Sequence, residues 1–390
     1  MKNNLKKWSL GTALGVFFVW FATRGWPVEH IFGHSLHLDG GYLIGGDLGG
    51  ITSSTLQQRL SCGCGELPLN AWRIYLPWIL PYMGILVLIH YIRAWRWAPL
   101  LKANGHDVPF SILNSTGGIS FAAIFLLPLR VGEFVRPALL KRWANVRMSE
   151  GMALVVLERV IDGLIVTCIL LAVLLYMPTG DPEAYRRIHL GALISLAVFG
   201  GGLLGIIGAY MMRAPLDRFL ETRMRRFSPR LVDKVRGILS RFYRGLGCMP
   251  NVRIMLLFTV VTVIYWLING YGYYAMARAF GYDFGLIMGF ALMAAVVIGM
   301  MIPNPPGNVG TFWFFLLLPM TVYGVTDQSV QAVVFALFVW FIQMAQMTVF
   351  GIYFLSKSTL SISEIQDLGH EEEAPEETET PQTIASSPTR

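Results

Sequence analysis

Two stretches of the sequence, 254–277 and 329–355, contain no Asp, Glu, Lys, Arg or His. Each exceeds the roughly 20 apolar residues that an α-helix needs to cross the hydrocarbon of a bilayer. Further apolar runs extend from Trp8 to about Ala22, from about Tyr75 to Ile92, from Gly151 to Met177 and over about 188–212. Such a chain has few options. Inside lipid every backbone N–H and C=O must be satisfied internally, which leaves helices or a closed barrel. No series of short alternating strands suggests a barrel. Charged residues make up 14% of the chain, against about 25% in an ordinary soluble domain. The predicted fold class is all-α: a polytopic helical membrane protein.

The net charge of +7 raises nucleic acid as a partner, but its placement argues for topology instead. Lys2, Lys6 and Lys7 precede the first apolar run, which lacks a small-residue cleavage site and is expected to stay as a first span with the N-terminus in the cytoplasm. Residues 25–73 are poor in basic residues and are expected to form an outside loop. Residues 213–253 hold eleven basic residues against Asp217, Glu221 and Asp233, which suits a cytoplasmic loop or contact with anionic headgroups. Arg93, Arg96 and Lys102 mark the cytoplasmic exit of the span that begins near Tyr75, with Trp95 and Trp97 in an interfacial belt. Residues 1–357 are read as the membrane domain, and 358–390, rich in Glu, Ser, Thr and Pro, as a disordered cytoplasmic tail. No metal or cofactor is expected. His30, His34 and His37 have helical spacing, yet Gly33 and Asp39-Gly40-Gly41 break the helix, so solvated loop histidines are expected. Cys62-Gly63-Cys64 is too short for a comfortable bridge of its own.

Three polar landmarks interrupt the apolar pattern. Pro128-Leu129-Arg130-Val131-Gly132-Glu133-Phe134-Val135-Arg136-Pro137 follows the apolar segment 111–129. Both flanks of that segment are basic, so it either enters and returns on the cytoplasmic side or is a plain span with a basic cap. Glu158, Arg159 and Asp162 lie within the run 151–177. Glu158 and Asp162 share a helix face, with Arg159 offset by about 100°. Facing lipid they would cost several kcal/mol, so they are expected in an interior cavity, unless the span begins near Gly163 and they lie at the interface. The third landmark, Pro303 to Gly310, separates the short apolar segments 285–302 and 311–325. Pro128 to Gly132 and Pro303 to Gly307 share a Pro-x-x-x-Gly pattern, the kind of echo that points to inverted repeats around a transport site. The count is six full spans with two re-entrant hairpins, or eight spans if 285–302 and 311–325 both cross.

These landmarks, in this order and spacing, resemble the lysylphosphatidylglycerol synthase transmembrane region, the flippase-like integral membrane family. The resemblance runs over about residues 5–357. It implies a lipid-translocating membrane domain. It also places an acidic residue about three positions after Gly310, where this chain has Phe312 and Trp313. No segment resembles the soluble synthase domain, so lysyl transfer is not expected.

The chemistry of the residues agrees. An anionic lipid headgroup crossing a low-dielectric slab needs fixed cations, and arginine grips phosphate through parallel hydrogen bonds. Arg130, Arg136 and Arg159 are the candidates, with Glu133, Glu158 and Asp162 holding them in the empty site. Gly307 and Gly310 would allow close backbone approach, and the helix opening near Gly310 would aim free amides at a phosphate or carboxylate; Gly132, Pro306 and Asn308 are counted with them as candidate substrate-binding residues. The expected function is movement of an anionic, aminoacylated or polyprenyl-linked lipid across the cytoplasmic membrane, with membrane lipids as partners and no nucleic acid. Two other classes are a proton-coupled transporter of a small organic anion, and a non-transporting scaffold for a lipid- or glycan-synthesising enzyme. No nucleophile–base pair marks an enzyme.

Overall fold

The computed structural model describes residues 37–39, 42–46, 71–127, 132–178, 180–219, 221–222, 229–302, 305–326 and 329–358. Three short strands come first: β1 (His37–Asp39), β2 (Tyr42–Gly46) and β3 (Ala71–Tyr75). The helices follow: α1 (Ile79–Trp95), α2 (Trp97–Ala103), α3 (Phe110–Leu126), α4 (Gly132–Ala144), α5 (Met148–Leu174), α6 (Pro182–Met211), α7 (Arg213–Phe219), α8 (Pro229–Gly245), α9 (Val252–Ala279), α10 (Gly285–Met301), α11 (Thr311–Val322) and α12 (Val330–Ser356). Among the described residues, four helical stretches are long and apolar enough to cross a membrane: Leu76–Ala103, Pro182–Met211, Val252–Ala279 and Val330–Ser356. The protein is an all-α, multi-pass membrane protein.

Local sequence sets the helix ends. Asp181 caps α6 by accepting from the amides of Glu183 and Ala184 at 2.9 and 3.1 Å, with Pro182 at the first helical position. Ser329 caps α12 through the amide of Ala332 at 3.3 Å. Pro81 falls in the first turn of α1, where no intrahelical N–H is lost.

The strands were not anticipated in the segment read as an outside loop. They form one antiparallel sheet in the order β1-β2-β3. The cause is visible in β3, Ala-Trp-Arg-Ile-Tyr, where alternation buries Trp72 and Ile74 on one face. Gln331, at the start of α12, clamps the sheet to the helices. It accepts from the Arg73 amide at 2.9 Å and donates to the carbonyls of Arg73 and Phe280 at 2.9 and 2.7 Å. His37 lies in β1, whereas His30, His34, Cys62, Cys64, the run Trp8–Ala22 and residues 359–390 lie outside the described residues.

Two helical hairpins correspond in form. In one, α3 packs on α4; in the other, α10 packs on α11. Both first arms are 17 residues, about 26 Å at 1.5 Å per residue. Both end on an extended residue, Leu127 or Ile302. The second arms, α4 with 13 residues and α11 with 12, reach only about 20 and 18 Å. Small residues permit close contacts. A Cβ at Gly132 would overlap the backbone of Ala123 and Ile124, and one at Gly118 would overlap the ring of Phe354 on α12.

Two large apolar cores form, and the polar residues lie at the seam between them. On α1 and α2, Arg93 and Arg96 stand between Ile89 of one core and Trp97 of the other. On α5, Asp162 stands between Ile161 and Val166. On α9, Thr262 stands between Phe258 and Tyr265.

Candidate functional site: an arginine–carboxylate cluster beside a cavity

Glu158 and Asp162 are one helical turn apart on α5 and are each only 1% exposed. The residue that binds both is Arg96, at the break where α1 gives way to α2. Its guanidinium holds Asp162 with two nitrogens, Nη1 to Oδ1 at 2.6 Å and Nη2 to Oδ2 at 2.7 Å. Nη2 also donates to Oε1 of Glu158. Nη1 further donates to the Thr262 hydroxyl at 3.3 Å, and that hydroxyl donates to the Phe258 carbonyl at 2.7 Å. Arg96 is itself 1% exposed. Taking such ions out of water is costly unless each is met by charge and hydrogen bonds, and here each is.

More donors complete the ring. The Trp97 indole N–H donates to Glu158 Oε2 at 2.8 Å, and that of Trp266 on α9 to Asp162 Oδ1 at 3.3 Å. Arg136 on α4 reaches Glu158 Oε2 at 3.2 Å. Its guanidinium lies over the rings of Trp97 and Phe121, 4.4 and 4.8 Å from their centroids. Arg159 contacts Glu158 at 3.0 Å and Asp162 at 3.7 Å. Glu133, half-buried on the first turn of α4, lies within electrostatic range of Arg159.

Arg93 differs from these. It donates through Nε to the Tyr265 hydroxyl at 3.1 Å and lies 4.1 Å above the Phe121 ring. Among the described residues it makes no ion pair. Four guanidiniums thus face three carboxylates, and the surplus is positive. Arg93, Arg159 and Asp162 are among the residues that line a cavity of about 130 Å³ between α1, α3, α5, α9, α10 and α12. Apolar side chains, among them Phe125, Val297, Met300 and Met347, make up most of the remaining wall. Three cluster nitrogens, Nε of Arg96, Nη2 of Arg136 and Nε of Arg159, are buried with no hydrogen-bond partner among the described residues.

The family model described as "Lysylphosphatidylglycerol synthase TM region" matches residues 61–351. The chain belongs to this family. No curated protein and no solved structure matches it.

In this member of the lysylphosphatidylglycerol synthase TM region family, the anticipated residues separate into groups. Arg136, Glu158, Arg159 and Asp162 come together as one cluster, with Glu133 beside it. Gly132 serves the contact between α3 and α4. Arg130 lies outside the described residues. Pro306, Gly307, Asn308 and Gly310 form the turn between α10 and α11 and do not line the cavity; Met300 and Met301, just before that turn, do. Gly307 and Gly310 have φ of 72° and 80°, the left-handed region that favours glycine, and Asn308 has 51°. The Gly307 carbonyl accepts from the Trp340 indole at 2.7 Å. At the position where the resemblance implied an acid, Phe312 and Trp313 are buried in the apolar core.

Arg93, Arg96, Trp97 and Trp266 went unanticipated as site residues. The sequence places Arg96 at the cytoplasmic exit and Trp97 in the interfacial belt; in the structure both are 1% exposed and bonded to the α5 carboxylates. Trp95, the other expected belt residue, is 43% exposed. A signal existed: α5 carries two carboxylates in its cluster against one arginine, and an uncompensated buried carboxylate requires a cation from another helix.

Proposed function

We propose that this protein moves the headgroup of an anionic lipid across the cytoplasmic membrane, with its N- and C-termini inside. The observation that carries the reading is the cavity, with the guanidiniums of Arg93 and Arg159 in a wall that is otherwise mostly apolar. A headgroup phosphate would sit against Arg93 and Arg159, which stay ionised in low dielectric and match phosphate geometry. Glu158 and Asp162 hold the arginine array together when no ligand is present, and Arg96 fixes the two carboxylates in turn. The acyl chains would stay in the bilayer while the headgroup crosses.

The two hairpins support a transport reading as well. Their second arms, about 18–20 Å long, are short of the roughly 30 Å hydrocarbon core. Each hairpin is therefore proposed to enter and return, in opposite senses, as in an inverted repeat. Proton coupling through Glu158 and Asp162 gains no support from this geometry, because both carboxylates are committed to guanidiniums and indole N–H groups.

The test is headgroup translocation in sealed proteoliposomes with reporter lipids, comparing the natural protein with Arg93→Gln, Arg136→Ala and Arg159→Ala at matched reconstitution. Movement by the natural protein, reduced at least about tenfold in Arg93→Gln and Arg159→Ala, is the expected result. Absence of movement for every lipid, in folded protein, would overturn the reading.

A further inference from the structure

The cavity holds a second set of polar groups that the ion cluster does not use. Asn269 on α9 and Gln346 on α12 line it, and neither amide makes a hydrogen bond to any described residue. Gln343, one turn before Gln346, donates from Nε2 to the hydroxyls of Tyr82 and Tyr273 at 2.8 and 2.9 Å. Its amide oxygen accepts from no described residue. Amides of this kind, in a wall that is otherwise mostly apolar, call for a ligand with hydroxyl or other neutral hydrogen-bonding groups.

The cavity offers a cation no free carboxylate. Among the described residues, Asp162 is the one acid in its wall. Both of its oxygens are taken: Oδ1 by Arg96 and Trp266 at 2.6 and 3.3 Å, Oδ2 by Arg96 at 2.7 Å with Arg159 at 3.7 Å. Of the aromatic rings in the wall, Phe121, which lies nearest the arginines, already carries the guanidiniums of Arg93 and Arg136 at 4.1 and 4.8 Å. An entering ammonium would meet Arg93 and Arg159 and find no open carboxylate.

We propose, resting on the reading of this chain as a lipid translocator, that the cavity selects phospholipids whose headgroup is anionic at phosphate and otherwise uncharged and hydroxylated. Polyol and sugar phosphodiesters belong to this class; aminoacylated and ethanolamine headgroups do not. Arg93 and Arg159 take the phosphate oxygens, and Asn269, Gln346 and the Gln343 oxygen take the hydroxyls. Discrimination comes from the absent counter-charge as much as from the contacts made.

The test is binding to the purified full-length protein in detergent, followed by thermal shift and native mass spectrometry. The probes are short-chain phosphatidylglycerol, its lysyl ester, phosphatidylethanolamine of the same chains, and glycerol 3-phosphate. Phosphatidylglycerol is expected to bind at least about tenfold more tightly than the lysyl ester or phosphatidylethanolamine. Arg93→Gln should abolish that binding, and Gln346→Leu should weaken it. Asn269→Asp places a carboxylate in the cavity and should raise affinity for the lysyl ester; this variant decides the matter should Arg93→Gln not fold. A lysyl ester bound as tightly as phosphatidylglycerol by the natural protein overturns the selectivity while leaving lipid translocation intact. Glycerol 3-phosphate bound as tightly as phosphatidylglycerol overturns the lipid as the source of the phosphate. Binding of none of the four, with translocation of some other lipid still measured in proteoliposomes, overturns the headgroup assignment alone.

Discussion

Arg96 and Asp162 form a two-nitrogen, two-oxygen ion pair inside the protein, at 2.6 and 2.7 Å, across 66 residues of sequence. That pair joins the α1–α2 break to the middle of α5 and sets the frame in which Glu158, Arg136 and Arg159 are placed. It is a structural bond, whereas Arg93, without a carboxylate partner among the described residues, lines the cavity and is the cation proposed above to meet the ligand. This division of roles leads to distinct outcomes for arginines only a turn apart.

Replacing Arg96 by Ala leaves Glu158 and Asp162 buried without their main counter-ion. Truncating one partner of a buried pair costs about 3–5 kcal/mol. The thermal midpoint of Arg96→Ala in detergent should fall well below that of Arg93→Gln. Arg96→Lys should rescue little, since an ammonium cannot span both oxygens of Asp162 and reach Glu158. Equal midpoints for Arg96→Ala and Arg93→Gln would refute the assignment.

Gly132 tests the hairpin of α3 and α4. A methyl group there would press on the backbone of Ala123 and Ile124, and backbone cannot rotate away as a side chain can. Gly132→Ala is expected to destabilise by about 1–3 kcal/mol, the range for overpacking, with Gly132→Val worse. Thermal unfolding measures the cost.

The turn between α10 and α11 is held by the Trp340 indole on the Gly307 carbonyl. Trp340→Phe keeps most of the ring and removes the donor. A loss of about 1–3 kcal/mol follows if the carbonyl then finds no water. Gly307→Ala meets a separate obstacle, its φ of 72°, which costs an L-residue roughly 1–2 kcal/mol. Both variants should lower the thermal midpoint, and together they report whether one turn is involved.

Cys248 lies in the turn after α8 and is buried. Burial pushes its thiol up to about 11. The thiolate is the nucleophile, and a raised pKa leaves less of it at neutral pH. In a Cys62→Ser, Cys64→Ser, Cys168→Ser background, maleimide should label Cys248 slowly at pH 7, faster as pH rises towards 10, and at once after denaturation. Rapid labelling of the native protein at pH 7 would contradict the packing of this turn.

Much of the architecture was legible. The apolar runs near 188–212, 254–277 and 329–355 are helices α6, α9 and α12, with ends within a few residues apart from the start of α6. The reason is that burial in lipid forces an uninterrupted apolar run to be helical. The sheet was harder to see, because β1 and β2 span three and five residues. Asp39-Gly40-Gly41 before Tyr42 is nevertheless a hairpin signal, and Ala-Trp-Arg-Ile-Tyr alternates.

The sequence by itself determined that this chain is a helical, multi-pass membrane protein and that Glu158 and Asp162 share one face of α5. Both follow from short-range rules, the cost of apolar surface in water and the 3.6-residue repeat. Only the tertiary structure decided that Arg96 is their partner, that Trp97 is a buried donor, and that Arg93 faces the cavity. An arginine at the end of an apolar run reads the same whether it meets headgroups or a carboxylate on another helix. Which of the two it meets depends on how α1, α5 and α9 pack, and that is settled by contacts between residues far apart in the chain.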